Sequence, residues 1–138
     1  MQFTESQAIY LQIANIIEEK ILRREWMPEE RIPSVRDLAV AMEVNPNTVV
    51  RTYEILQQKE IICNKRGIGY FVSENACSII KKEWKKNFKE QDLPEFFKNI
   101  SLLDFSINEI ALLYKQYNTT PKSPKGDLAA VQRLNVLH

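Results

Sequence analysis

Arg31-Ile-Pro-Ser-Val-Arg-Asp-Leu-Ala-Val-Ala-Met-Glu-Val-Asn-Pro-Asn-Thr-Val-Val-Arg-Thr-Tyr-Glu-Ile-Leu56 is the stretch that decides the fold, because it contains two helix starts in succession. The first start is Ser34 after Pro33. A serine side chain accepts from a free amide of the opening turn, and Asp37 three residues on completes the pattern of a capping box. Val35, Leu38, Ala39 and Met42 then recur at three-to-four spacing, which places them on one face and leaves Arg36, Asp37 and Glu43 off it. The second start is Asn45-Pro46. Asparagine caps, and proline takes the first helical position, where its missing N–H loses no intrahelical bond. Val49, Thr52, Tyr53 and Leu56 share the apolar face of this helix, so Asn47, Thr48, Val50, Arg51 and Glu54 point outward or sideways. Two short helices with this junction read as a helix-turn-helix, a motif whose second helix enters the DNA major groove by its N-terminal end.

Two short β-prone runs follow, Ile61-Ile-Cys-Asn64 and Tyr70-Phe-Val72, with Lys65-Arg-Gly-Ile-Gly69 between them. This predicts a hairpin wing with two cations at its tip. Gly67 and Gly69 permit positive φ and close approach of backbone to a phosphate, while Lys65 and Arg66 supply charge for phosphates or for the minor groove.

At these residues the chain resembles the GntR family of winged-helix regulators, and within it the short YtrA-like members. The resemblance is carried by Tyr10-Leu-Gln-Ile-Ala14, Arg31-Ile-Pro-Ser-Val-Arg-Asp-Leu-Ala39, Val44-Asn-Pro-Asn-Thr-Val-Val-Arg-Thr-Tyr53 and Arg66-Gly-Ile-Gly-Tyr-Phe-Val72. It covers residues 7–73 strongly and residues 75–117 more loosely, with several separate motifs in the right order. It implies a bacterial transcription factor, usually a repressor, that binds a palindromic operator as a dimer. It places Arg36 on the operator from the start of the first of the two helices, beside Ser34. Asn45, Asn47, Thr48 and Arg51 fall at the recognition surface, and Lys65, Arg66 and Gly67 in the wing. Two positions depart from the family pattern. Val50 stands where many relatives carry a cation, so it offers a thymine methyl contact but no bidentate guanine contact. Glu29 stands where many carry a glycine in a turn.

Charge is distributed unevenly. The 138 residues carry a net charge of +1. Glu5, Glu18, Glu19, Glu25, Glu29 and Glu30 all precede the helix pair, whereas residues 31–73 hold Arg31, Arg36, Arg51, Lys59, Lys65 and Arg66 against Asp37, Glu43, Glu54 and Glu60. The excess is small, so DNA binding is expected to be moderate and sensitive to salt.

A first helix from about Ser6 to Arg24, with Tyr10, Ile13, Ala14, Ile17 and Ile21 at helical spacing, is expected as a scaffold behind the pair. Trp26-Met-Pro28 reads as a turn or short strand that joins the wing sheet, and Cys63 as a small core residue. After Val72 the composition shifts. Ala76 to Lys89 reads as a lysine-rich amphipathic helix with Cys77, Ile80, Trp84 and Phe88 on one stripe, and its lysines read as a solvated face. Asp92-Leu-Pro94 should break or restart that helix, and Leu93, Phe96, Phe97, Ile100 and Leu103 prolong the apolar stripe. Ser106 to Tyr117 forms a further helix with Ile107, Ile110, Ala111, Tyr114 and Tyr117 on its apolar side.

The fold expected is mainly α with a small β wing. A winged helix-turn-helix at residues 1–73 binds double-stranded DNA, a helical dimerisation region occupies residues 74–117, and residues 118–138 form a flexible tail with a short amphipathic helix over Leu128 to Leu137. The appendage is too small to bury its own apolar surface, which makes Ile80, Trp84, Phe88, Phe96, Phe97, Ile100, Ile107, Ile110 and Tyr114 the expected homodimer interface. A rival use of its aromatic residues is a small-molecule pocket between protomers, although no residue pattern indicates an effector. A rival for the whole chain is a winged-helix module that binds a protein partner.

Enzymatic chemistry lacks an inventory. His138 is the one histidine, Cys63 and Cys77 have no companions at zinc spacing, and there is neither a phosphate-binding glycine loop nor a nucleophile elbow. No cofactor or metal is expected. The acidic residues are expected at solvated helix positions. Two unpaired cysteines, no secretory leader and no apolar run near 18 residues lead to the expectation of a cytoplasmic protein with no membrane partner.

Overall fold

The computed structural model describes residues 7–119. The expected start of the first helix at Ser6 and the helix expected over Leu128 to Leu137 lie outside them. In chain order the elements are α1 (Ile9–Leu22), α2 (Val35–Met42), α3 (Pro46–Gln58), β1 (Ile62–Lys65), β2 (Gly69–Val72), α4 (Ala76–Asn87), a π turn (Phe88–Asp92), α5 (Leu93–Leu102) and α6 (Ile107–Thr119). The architecture is helical with one small antiparallel sheet.

Local chemistry sets the limits of the helix pair. Ser34 Oγ accepts from the Asp37 amide at 3.1 Å, and Asn45 Oδ1 accepts from the Asn47 amide at 2.8 Å. Pro46 sits in the opening turn of α3. Between the two helices Glu43 adopts a left-handed conformation, φ 56°, and closes α2. The apolar faces predicted for both helices are the buried ones: Leu38, Ala39 and Met42 from α2 meet Val49, Tyr53 and Leu56 from α3. Ile13, Ile16, Ile17 and Ile21 of α1 complete this core, each side chain contributing roughly 1.5–3 kcal/mol on burial. Truncating Ile17 to alanine would leave a cavity costing about 2–5 kcal/mol. Glu18 is buried on α1, contrary to the solvated position expected for it, and its carboxylate faces the Lys59 ammonium 3.6 Å away.

The wing pairs β1 with β2 in the register Ile62↔Val72, Cys63↔Phe71, Asn64↔Tyr70 and Lys65↔Gly69. The strands therefore reach one residue further toward the tip than the sequence suggests, and the loop is only Arg66, Gly67 and Ile68. Ile68 N–H donates to the Lys65 carbonyl at 2.9 Å, and Gly67 supplies the positive φ, +80°, that a type II turn needs at its third residue. Cys63 is exposed on the outer side of β1, not in the core, because strand alternation turns it away from buried Ile62.

A third segment lies against β2, but it is not Trp26-Met-Pro28. Glu29 N–H donates to Val72 O, Val72 N–H to Glu30 O and Ile32 N–H to Tyr70 O, while Arg31 forms a bridge with Phe71. Trp26 to Pro28 instead make the bend that delivers this segment. The bend ends at Glu29, which holds φ 66°. A glycine would hold this conformation without steric cost, and this chain accepts the strain of a side chain there.

Packing continues past the wing. Ala76 and Ile80 on α4 are fully buried, and Cys77 Sγ lies 3.4 Å from the Ile21 carbonyl at the end of α1. Compact packing of the first unit accordingly extends to Lys81 rather than stopping at residue 73, and Ile80 belongs to its core. Ile80 is therefore withdrawn from the expected dimer interface.

The second unit begins at Lys82. The expected break at Asp92 to Pro94 takes the form of the π turn, in which Leu93 N–H donates to Phe88 O five residues back. Widening the helix by one residue accommodates a proline that would otherwise collide with the preceding turn, so the chain stays helical into α5. Ser106 and Glu109 cap α6 reciprocally: the Glu109 amide donates to Ser106 Oγ at 3.1 Å and the Ser106 amide to Glu109 Oε1 at 3.3 Å. Neither α5 nor α6 contains a buried residue.

Candidate nucleic-acid interface

The outward face of α3 presents Asn47, Val50, Arg51 and Glu54, residues spaced three and four apart and all exposed. Thr48 is half-buried at the edge of that face. Asn45 is exposed at the helix start, although its side-chain oxygen is engaged in capping. Arg51 is held rather than loose, since its guanidinium lies 4.0 Å over the centre of the Tyr10 ring on α1. A second link fixes α3 to the same place: the Thr52 hydroxyl lies 2.9 Å from Tyr10 O and 3.1 Å from Thr48 O and shares its proton between them.

Ser34 and Arg36 are exposed at the start of α2. Ser34 Oγ accepts from Asp37, which leaves the hydroxyl proton available to an external acceptor such as a phosphate oxygen. Lys65 and Arg66 are exposed on the wing, with Lys65 Nζ 4.4 Å over the Phe71 ring, and a Cβ on Gly67 would meet only open space. The site residues fall into three groups, the start of α2, the exposed face of α3 and the wing tip.

Two residues that sequence reasoning did not assign to the site organise these groups. Tyr53 is buried, its hydroxyl donates to the Pro33 carbonyl at 2.6 Å, and its ring meets Tyr70 edge-on with centroids 4.8 Å apart. One α3 side chain thus ties α3 to the residue preceding the Ser34 cap and to the second wing strand. Burial, reinforced by Tyr70, raises the Tyr53 hydroxyl above its ordinary pKa and keeps it a hydrogen-bond donor. The helical period marked Tyr53 as core but could not reveal its partners. The second is Arg31, whose exposed guanidinium lies against Gly69. Its position in the motif was legible, whereas its contact with a glycine 38 positions later (69 − 31) was not.

An open cleft of about 400 Å³ lies beside Gln57, Glu60, Cys63, Asn64, Glu74 and Asn75. Its two carboxylates disfavour a phosphate, and none of the aromatic residues considered for an effector pocket lines it. Among the described residues no three potential metal ligands cluster, and no helix is long and apolar enough to cross a membrane.

The model of the family described as "Bacterial regulatory proteins, gntR family" matches residues 9–72, a span running from α1 to the end of the wing. The YhcF transcriptional regulator of Bacillus subtilis is 38% identical over 109 residues, covering 79% of this chain and 88% of the relative. The chain belongs to the GntR family. Another GntR relative, the YtrA transcriptional repressor of Bacillus subtilis, is 38% identical over 86 residues, 62% of this chain and 66% of the relative. The crystal structure of a GntR regulator from Bacteroides thetaiotaomicron is 45% identical and superposes with a TM-score of 0.64 over 80% of this chain and 96% of that one. Membership makes this GntR protein a DNA-binding transcriptional regulator and not an enzyme.

Proposed function

We propose that this chain is a repressor that binds a palindromic operator as a homodimer through the second unit. The observation that carries the reading is the state of that unit, which has large apolar side chains and buries none of those on α5 and α6. Leu102 is 71% exposed, Ile107 70% and Tyr114 67%, with Phe88, Phe96, Phe97, Leu103, Leu112, Leu113 and Tyr117 also exposed. Water contact over this much apolar surface is unfavourable, and a second copy supplies a matching apolar face by twofold symmetry. Trp84, Ile100 and Ile110, each half-buried, border this surface. Leu102, Leu112 and Leu113 join the interface expected from sequence, where Ile80 leaves it.

Twofold symmetry also sets the DNA target. Two recognition helices about 34 Å apart read two half-sites related by a dyad, which is a palindrome. In each protomer Asn45, Asn47 and Thr48 fix the start of α3 on backbone and bases, Arg51 and Arg36 engage phosphates or guanines, and Ser34 donates to a phosphate. Lys65, Arg66 and the open Gly67 backbone grip beside the groove. Repression is supported by the related YtrA, which is named a repressor.

The test is a mobility shift of the full chain on the DNA upstream of its own gene, with a salt series and a Lys65→Ala/Arg66→Ala variant. The expected result is a salt-sensitive shift, weakened in the variant, whose protected site is a palindrome. Unaltered binding by Arg51→Ala at near-physiological salt would show that the recognition surface lies elsewhere.

A further inference from the structure

We infer that Arg31 is a phosphate-binding residue of the wing, held in its binding pose by Gly69; the inference rests on the DNA-binding reading above. Three observations meet at this side chain. First, Arg31 lies on the segment that pairs with β2, bridging Phe71, so its backbone moves with the wing rather than with α2. Second, a Cβ placed on Gly69 would come within 3.0 Å of Arg31 Nε, 3.4 Å of Nη2 and 3.5 Å of Cζ. The guanidinium therefore packs over the bare Cα of residue 69, and a side chain there would push it aside by a few tenths of an ångström. Third, Arg31 is exposed, and no carboxylate among the described residues lies within ion-pair distance of it.

A guanidinium needs hydrogen-bond acceptors for five N–H groups, and an exposed one without a carboxylate keeps them for water or an incoming acceptor. Lys65, whose ammonium packs on the ring of Phe71, is tethered to the same residue that Arg31 bridges. Arg31, Lys65 and Arg66 are consequently three exposed cations carried by the hairpin and the segment paired with it. Phosphate is the acceptor that suits it, because the fork matches two phosphate oxygens and the wing lies beside the DNA backbone. The positive φ of Gly69, +143°, already excludes most residues from the position, and the Arg31 contact adds a requirement for space.

The experiment measures binding of the full chain to a fluorescein-labelled duplex from the DNA upstream of its own gene, as a function of salt. Variants are Arg31→Ala, Arg31→Lys, Gly69→Ala and the Arg31→Ala/Gly69→Ala pair. Arg31→Ala is expected to weaken binding about tenfold per protomer and to lower the slope of log K against log salt by about 0.9 for each phosphate that is no longer neutralised. Arg31→Lys should restore the slope and only part of the affinity. Gly69→Ala should weaken binding more in the native background than in the Arg31→Ala background. Backbone strain at residue 69 is common to both backgrounds, so the difference isolates the interaction between the two residues. An unchanged salt slope in Arg31→Ala, with salt-sensitive binding by the unaltered chain, overturns this inference alone. Equal losses from Gly69→Ala in both backgrounds overturn the role given to the glycine. Salt-insensitive binding by the unaltered chain overturns both this inference and the DNA contacts on which it rests.

Discussion

Replacing Tyr53 by phenylalanine removes a single oxygen from the centre of the recognition unit. The ring remains in place against Tyr70, so the transfer free energy of the aromatic surface is largely retained. The loss is the 2.6 Å bond to the Pro33 carbonyl. A hydrogen bond of this kind contributes about 1 kcal/mol net, rising toward about 3 kcal/mol if the orphaned carbonyl stays dry. For a domain of about 60–100 residues, 1 kcal/mol corresponds to a fall in Tm of about 4–8 °C. A second signature follows from protonation. The unfolded phenol releases its proton near pH 10.0, whereas burial makes the folded phenol retain it to higher pH. The folded state then binds more protons than the unfolded one, so the contribution is fully present below pH 10. It is lost by about 1.4 kcal/mol per pH unit above that, until the folded phenol also ionises. Urea unfolding of both proteins at neutral pH and in steps up to about pH 11 measures both effects, since the difference between them cancels the titration of every lysine. The reasoning fails if the variant loses less than about 0.3 kcal/mol at neutral pH, or if the two stability curves stay parallel through the alkaline range.

Glu29→Gly should stabilise the chain by about 1 kcal/mol, because a side chain at φ 66° carries left-handed strain that glycine lacks; thermal unfolding measures it, and destabilisation would mean that the turn tolerates glutamate without strain. Asn45→Ala should cost about 1 kcal/mol of stability through loss of the cap on α3, read as a lower urea midpoint at unchanged slope. Phe97→Glu with Tyr114→Glu should convert dimer to monomer in sedimentation while leaving the thermal transition of the first unit in place; a dimer that survives both charges would refute the interface.

The helix pair was legible because its boundaries are fixed locally. Ser34, Asn45 and Pro46 act on amides two or three residues away, and the inward faces of α2 and α3 follow from period alone. The wing was legible from Gly67 and the β-prone runs, to within one residue at its tip. What escaped depends on long-range packing or on backbone geometry. Glu18 reads as a surface acid until Lys59 is brought to it, and Ile80 as an interface residue until α4 folds onto α1, while the restart read at Asp92-Leu-Pro94 gave no sign of the π turn that precedes it. The same holds at the candidate site, where the exposure of Arg36, Arg51, Lys65 and Arg66 follows from helical period and the wing turn, whereas the pairings of Arg31 with Gly69 and of Tyr53 with Pro33 arise only in the folded chain.

The Tyr53 junction has a further consequence for how a binding sequence is chosen. Because one buried side chain joins α3 to β2 and to the segment before α2, the spacing of α3 and the wing is constrained within the folded chain, before any DNA is bound. In the proposed complex, a reader whose span is constrained in this way leaves adjustment of the groove to the duplex. The cost of that adjustment depends on base steps that no side chain touches, so under the proposed reading groove width and flexibility enter the choice of site.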